Sequence, residues 1–196
     1  MWLRLLAPDE RPAFAPGRPR VWSCPAGSGN GRAGLRRQAR LLLAGLLSHY
    51  LDCPPERLGL VFEAGEPPGL AARWQGLPLA LSISYSATQA AVAICPGAPV
   101  GIDLAQVAPM PDWRPVARLY LGPVVEQQLA GLPDVDRDLQ FARAWAAQEA
   151  RLKAIGLPLQ EWSAALQRDL DAAIAGGGTL ELDQGRLVLA LACSRG

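Results

Sequence analysis

Residues 76–102 contain no charged side chain, and this stretch constrains the fold more than any other part of the chain. An uncharged run of this length either crosses a membrane or is buried in a protein core. Ser, Thr, Gln and Pro interrupt it, and apolar and polar residues alternate over residues 79–86, as in a half-buried strand. We therefore predict three strands, with no membrane span, that form one small antiparallel sheet: residues 79–86, 90–95 and 100–104.

Apolar residues recur at helical spacing in two longer segments. Residues 35–51 carry a wide apolar stripe, and Pro54 and Pro55 stop the helix that this stripe predicts. A second helix is predicted to begin at Asp136 or Asp138 and to end at Gly156, a natural helix terminator.

The other segments have weaker patterns. Residues 16–34 are rich in Pro, Gly, Ser and Arg and are predicted as loop, residues 161–174 have no assignable pattern, and Gly176–Gly178 is predicted as a flexible turn. Strands are predicted at residues 2–7 and 58–62, short helices at 115–121 and 123–129, and a closing hairpin at 180–182 and 187–192. Each half then holds a helix followed by strands, which predicts an α+β protein with halves 1–104 and 105–196.

Charge and cysteine content exclude several kinds of function. The net charge of +1 provides no electrostatic case for binding nucleic acid or an anionic membrane. Four widely spaced cysteines and one histidine argue against a zinc site and indicate reduced thiols in a cytoplasmic protein. Basic residues cluster near the N-terminus, either as a solvated flank or as a surface that binds an anion or a partner: Arg18, Arg20, Arg32, Arg36, Arg37 and Arg40.

Two segments carry side chains suited to phosphate chemistry. Trp145, Glu149 and Lys153 are spaced four residues apart and lie on one face of the predicted helix. Such a carboxylate either holds a metal or accepts a proton, and the lysine meets an anion, although a solvated ion pair is the commoner explanation. Asp103 ends the uncharged stretch and is either a metal ligand or a turn or cap residue.

The order of these segments resembles a known family. Ser84-Tyr85-Ser86, then Val-Gly-Ile-Asp at residues 100–103, then Trp-Ala-Ala-Gln-Glu-Ala-Arg-Leu-Lys at 145–153 resemble the two-domain phosphopantetheinyl transferases that activate surfactin synthetase. The resemblance covers roughly residues 35–156. It implies transfer of the phosphopantetheine arm of coenzyme A to a serine of an apo acyl, polyketide or peptidyl carrier protein, which releases adenosine 3′,5′-bisphosphate.

The resemblance also implies a fold and a set of site residues. Two similar α+β halves, each a helix packed on a small antiparallel sheet, would be related by a pseudo-twofold axis and would hold coenzyme A in the cleft between them. A monomer would suffice, because one chain supplies both sides. Asp103 and Glu149 would hold Mg²⁺, while Glu149 and Lys153 would be catalytic. Contacts to coenzyme A would come from Lys153, Ser84, Tyr85, Arg36 and Arg40.

Five positions depart from the family's pattern. The family's usual histidine is Tyr85, the second acid of its Asp-x-Glu is Ala105, and the lysine before its glutamate is Gln148. A further lysine and an arginine correspond to Leu77 and Ala44. All five changes weaken phosphate or metal binding, so a second hypothesis is a non-catalytic relative that binds a carrier protein or a synthase subunit.

Overall fold

The structure is a computed structural model that describes residues 3–25, 31–63, 65–74 and 76–195. Its strands are β1 (Leu5–Leu6), β2 (Arg20–Pro25), β3 (Leu79–Tyr85), β4 (Gln89–Pro96), β5 (Val100–Gln106), β6 (Ile174–Leu182) and β7 (Leu187–Ser194). Its helices are α1 (Gly31–Leu51), α2 (Pro55–Leu58), α3 (Trp113–Val116), α4 (Pro123–Ala130), α5 (Asp134–Ala154) and α6 (Ala164–Ala173), with a π-helical segment at Ala117–Leu121. None of the helices in these ranges is long and apolar enough to cross a membrane.

The strands form two sheets. The first has the order β1-β2-β4-β3, in which β1 runs parallel to β2 and the other neighbours are antiparallel. The second has the order β5-β7-β6 and is antiparallel throughout. The predicted α+β class is therefore confirmed.

The two sheets pack face to face between two helices. Helix α1 covers the outer face of the first sheet with Leu35, Ala39, Leu43, Leu46 and Leu47. Side chains of both sheets form the layer between them, among them Val21, Ala91, Ala93, Ile102, Leu189 and Leu191. Helix α5 covers the outer face of the second sheet with Ala142, Ala146, Ala150 and Ala154. Strands β4 and β7 are buried on both faces, which explains why they are almost continuously apolar.

Helix α5 approaches strand β5 at a position where only glycine fits. A Cβ added to Gly101 would lie 2.0 Å from the carbonyl oxygen of Ala150 and 2.5 Å from the amide nitrogen of Ala154. Real Cβ atoms do not approach other atoms this closely, so any side chain at this position would push the helix away. Asp103 is two residues further along β5 and therefore faces α5 as well.

The edges of the two sheets meet along β3 and β5 through serine hydroxyls. The Oγ of Ser82 accepts a hydrogen bond from the amide of Ile102 (3.1 Å), and the Oγ of Ser84 accepts one from the amide of Leu104 (3.0 Å). Both serines are buried. Side-chain oxygens thus take the place of a backbone ladder and satisfy amides that would otherwise be buried without partners.

The predicted single sheet is wrong, although its three strands are confirmed. Strand β5 pairs with β7 rather than with β4, so residues 100–106 belong to the second sheet. The pairing partner lies far along the chain, and local alternation carries no information about it. The division into halves at 104 and 105 stays a prediction, as does the pseudo-twofold axis; β5 contains residues on both sides of that division.

Three local assignments are also wrong. Strand β2 and the start of α1 occupy part of the predicted loop 16–34; β2 buries Val21, Trp22 and Cys24 and pairs with β4. Of the predicted strand 58–62, Leu58 ends α2, which Pro55 starts and Gly59 (φ 62°) caps, and Val61 makes only an isolated bridge to Gly69. The Gly176–Gly178 turn lies within β6, where the absence of a side chain at Gly177 allows close contact with Leu191.

The other assignments agree with the structure or lie outside its described ranges. Helix α6, which had no assignable sequence pattern, is capped by Ser163, whose Oγ accepts a hydrogen bond from the amide of Leu166 (3.1 Å). Of the predicted strand at residues 2–7, Leu5–Leu6 is present as β1. Trp2 and residues 26–30 lie outside the described residues.

Replacing Gly101 with alanine tests the contact between α5 and β5. We expect Gly101→Ala to lower the free energy of unfolding by about 1–3 kcal/mol or more, because the helix must move to admit the methyl group. The matched control is Gly45→Ala, in α1, where no atom lies within 4 Å of an added Cβ. That change should raise stability by about 0.5–1 kcal/mol through backbone entropy. Urea denaturation measures both, and equal stability of the two variants would contradict this packing.

Candidate active site

Asp103, Glu149 and Lys153 come together although they are far apart in sequence. Asp103 lies on β5, and α5 carries Glu149 and Lys153 one turn apart. The Nζ of Lys153 is 2.6 Å from Oδ1 of Asp103, a residue 50 positions away, and 4.0 Å from Oε2 of Glu149. It also donates to the carbonyl of Ile102 at 3.4 Å. The close packing at Gly101 produces these contacts, because it brings the helix backbone against the strand.

Burial changes the acidity of Glu149. Removal of water from the carboxylate is the largest effect and raises the pKa of Glu149 above its ordinary 4.5. The positive charge of Lys153 lowers this pKa and the negative charge of Asp103 raises it, and the net shift is upward. A carboxylate with a raised pKa is a better proton acceptor at neutral pH than an ordinary one.

Ser84 joins the first sheet to this cluster. Its Oγ donates a hydrogen bond to Oδ1 of Asp103 (2.9 Å) while it accepts the amide of Leu104. The hydroxyl is buried and has both partners within the protein. Its expected contact with a coenzyme A phosphate stays a prediction.

A cavity of about 550 Å³ lies between α1, β3 and the end of α5. It brings together four of the residues expected to contact coenzyme A: Arg36, Arg40, Tyr85 and Lys153. Asp103 and Glu149 are not among its lining residues, and they connect to it through Lys153. A larger groove of about 660 Å³ runs along the outer side of α1 and shares Arg36 and Arg40. That groove contacts none of the three clustered residues, so we assign the site to the smaller cavity.

The aromatic rings in the cavity are covered by arginines. The guanidinium of Arg36 is 5.9 Å from the ring centroid of Tyr85, and that of Arg40 is 4.5 Å from the ring centroid of Phe62. Burial raises the pKa of Tyr85, with the two arginines acting in the opposite direction. The phenol therefore stays neutral at neutral pH and is able to donate a hydrogen bond, while the arginines supply the positive charge.

The structure shows what surrounds two of the positions that depart from the family's pattern. Ala105 is buried against the alanines of α5, so a second acid is absent from this part of β5. Gln148 is also buried, and its Nε2 has no hydrogen-bond partner among the residues that the structure describes. Among the described residues no three or more His, Cys, Asp or Glu side chains form a cluster that could hold a metal.

The remaining donor set nevertheless suits one kind of cation. Mg²⁺ usually keeps several waters and takes only one or two protein carboxylates together with substrate phosphates. Asp103 and Glu149 are close enough for the charge of one to raise the pKa of the other. The cavity beside them is lined by three basic side chains and two acidic ones: Arg36, Arg40, Lys153, Glu63 and Glu66. Two neighbouring carboxylates next to these cations therefore fit a magnesium ion that is shared with a phosphate substrate.

Part of the chain is similar in sequence to a known protein family. Residues 99–191 match the sequence profile of the 4′-phosphopantetheinyl transferase superfamily. These residues form a domain of that superfamily. The family resemblance inferred from the motifs is thus confirmed. The matched segment includes Asp103, Glu149 and Lys153, whereas Arg36, Arg40 and Tyr85 precede it.

Two curated cyanobacterial proteins are similar to the chain over 117 residues, each with 31% identity. One is slr0495 of Synechocystis sp., whose name gives the 4′-phosphopantetheinyl transferase activity only as provisional. The other is the 4′-phosphopantetheinyl transferase HetI of Nostoc sp.. The similar region covers 60% of this chain, 47% of slr0495 and 49% of HetI. The chain thus spans about half the length of the curated relatives that it matches.

Sequence reasoning missed two features that build the site. Gly101 was part of a motif, but its close contact with α5 depends on the helix position. Ser82 was visible only as a polar residue of an alternating strand, and its role at the sheet edges needs the position of β5. Neither has a local pattern from which its partner could be identified.

Replacing Glu149 with its neutral isostere tests the effect of burial on this carboxylate. Because the pKa is raised in the folded state, stability falls as the pH rises above about 4.5, where the unfolded chain loses the proton first. We expect Glu149→Gln to unfold at higher urea concentration than wild type at about pH 7, and the difference to shrink at about pH 4. The exposed Glu161→Gln is the control and should show no such difference. A less stable Glu149→Gln at neutral pH would mean that the ion pair with Lys153 outweighs burial.

Proposed function

We propose that the chain transfers the 4′-phosphopantetheine arm of coenzyme A to a serine of an apo acyl, polyketide or peptidyl carrier protein. The observation that carries the proposal is the meeting of Asp103, Glu149 and Lys153 beside an arginine-lined cavity. Superfamily membership of residues 99–191 and the similarity to HetI support it. Adenosine 3′,5′-bisphosphate is the second product.

Each residue has a role in this reaction. The serine oxygen of the carrier bonds to the phosphorus that bears the pantetheine arm, and the bond from that phosphorus to the bridging oxygen of the pyrophosphate breaks. Glu149, or a water that it holds, accepts the serine proton. Lys153 stabilises the negative charge that develops on the phosphates. Bound Mg²⁺, held by Asp103 and Glu149, would neutralise the pyrophosphate.

The cavity provides the binding contacts in this proposal. Arg36 and Arg40 pair with phosphates of coenzyme A, since a guanidinium binds phosphate oxygens through two parallel hydrogen bonds. Tyr85 donates a hydrogen bond in place of the histidine that is usual in the family. One chain supplies both sides of the cavity, so we propose that the protein acts as a monomer. Carrier proteins of fatty-acid or polyketide biosynthesis in the cytoplasm are the proposed partners.

One observation favours a second candidate. Ala105 removes the usual second acid, and the charge of Asp103 is already neutralised by Lys153 at 2.6 Å. A protein with this arrangement could bind a carrier protein or synthase subunit without transferring anything. The two candidates differ in whether the carrier protein gains mass.

The first test is the intact mass of apo carrier proteins after incubation with this protein, coenzyme A and Mg²⁺. We expect a phosphopantetheine mass gain on a serine of at least one carrier, and its loss on addition of a chelator. Glu149→Gln should reduce the initial rate by at least about 100-fold, because general acid–base catalysis alone contributes that much. The control Glu161→Gln removes one exposed carboxylate outside the site and should retain the wild-type rate.

Two outcomes would count against the proposal. Unchanged transfer by Glu149→Gln would remove the proposed role of this residue. No mass gain across a panel of fatty-acid, polyketide and peptidyl carriers, with the protein folded and a carrier still bound, would favour the non-catalytic candidate.

The proposed binding role of Arg40 is tested by calorimetric titration with coenzyme A. We expect Arg40→Ala to raise the Kd for coenzyme A about tenfold or more, because a hydrogen bond to a charged group contributes about 1.5–3 kcal/mol. Arg168→Ala removes the same charge from an exposed position of α6 and should leave the Kd unchanged. An equal effect of both substitutions would show that net charge, rather than the cavity, governs binding.

A further inference from the structure

Ser84 occupies a position that no part of the proposed reaction explains. Its hydroxyl lies where the edge of the first sheet meets the edge of the second, and it contacts both the backbone and a site carboxylate of β5. The side chain is only 5% exposed. It is therefore enclosed by protein and has fixed partners.

The hydrogen bonds define the direction of the hydroxyl proton. An amide is only a donor, so the Oγ of Ser84 must accept the hydrogen bond from Leu104 (3.0 Å). The single proton of the hydroxyl is then available to Oδ1 of Asp103, at 2.9 Å. A hydrogen bond to an ionised carboxylate is stronger than one between neutral groups, so this geometry is well defined.

The carboxylate of Asp103 is held from two sides. Its Oδ1 accepts from Ser84 of the first sheet and from Lys153 of α5, the latter at 2.6 Å. Among the described residues, no hydrogen bond to its Oδ2 is present. Two donors on one oxygen orient the carboxylate and leave the other oxygen available to a cation.

We propose that Ser84 is a positioning residue that orients Asp103 so that Oδ2 is presented to Mg²⁺. This inference rests on the proposed transferase function and deepens it. In this proposal Ser84 acts through Asp103, in place of the contact with coenzyme A that the family resemblance implies. Residues behind a metal ligand typically change metal affinity by about 10–100-fold when they are removed.

The chain contains a matched control for this role. Ser82 is two residues earlier on β3, is equally buried, and its Oγ accepts the amide of Ile102 at 3.1 Å. It makes the same kind of contact between the sheets but no hydrogen bond to Asp103. Ser82→Ala and Ser84→Ala therefore both leave a β5 amide without its partner, and only Ser84→Ala releases the carboxylate.

The test is titration of the full chain with Mn²⁺, an EPR-active substitute for Mg²⁺, in the presence of saturating coenzyme A. We expect Ser84→Ala to raise the Kd for Mn²⁺ about tenfold or more, and Ser82→Ala to leave it unchanged. Ser84→Thr keeps the hydroxyl and should restore most of the affinity.

The Kd for coenzyme A, measured with a chelator present, should be the same for Ser84→Ala as for the wild type; Ser82 lines the cavity, so Ser82→Ala is the control for Mn²⁺ affinity only. If Ser84→Ala does not fold, Ser84→Cys carries the comparison, because a thiol is a weaker donor.

Each other outcome overturns a defined part of the proposal. The wild-type protein transfers the phosphopantetheine arm and binds Mn²⁺ if the proposed function is right. If it does both, but Ser84→Ala and Ser82→Ala bind Mn²⁺ with equal affinity, only the positioning role is overturned. Weaker coenzyme A binding by Ser84→Ala, with unchanged Mn²⁺ affinity, would overturn it in favour of a direct phosphate contact. A wild-type protein that neither binds Mn²⁺ nor modifies any carrier would overturn both this inference and the proposed function.

Discussion

The close contact between helix α5 and strand β5 is the constraint on which the rest of the site depends. At Gly101 the helix backbone lies where a side chain would otherwise stand. Alanines along the same face of α5 keep the helix near the sheet from Ala142 to Ala154. Only at this short separation does Lys153 reach Asp103, so the packing of small residues determines the position of the charges.

A charged pair in this position has an energetic cost that the surrounding polar groups offset. Burial of a carboxylate is unfavourable unless opposite charge and hydrogen bonds replace its water. Asp103 receives both, from Lys153 and from Ser84. Glu149 receives less compensation, which is why burial dominates its pKa. Neighbouring carboxylates in unequal surroundings are typical of sites in which one orients a ligand and the other exchanges a proton.

Local sequence patterns predicted the helices and strands that bury one regular face. They failed for strands whose formation depends on pairing with a strand far along the chain. The alternation in residues 79–86 and the stripe in residues 35–51 identified a strand and a helix, because each buries one continuous face. Strand β2 was missed because its buried residues Val21, Trp22 and Cys24 stand among Arg, Ser and Pro, and its partner β4 is far along the chain. The glycines of β6 resemble a turn locally, but in the sheet one of them, Gly177, allows the backbone of β7 to come close.

The spacing of Glu149 and Lys153 on one face of a helix follows from helical periodicity alone, since side chains four residues apart share a face in any α-helix. The motif order in the chain likewise sufficed to infer the superfamily of residues 99–191. Tertiary structure alone decided that β5 leaves the first sheet, that Ser84 meets Asp103, and that Arg36 and Arg40 share a cavity with Lys153. These contacts join segments widely separated in sequence, and their distances depend on how the layers pack, which no local pattern records.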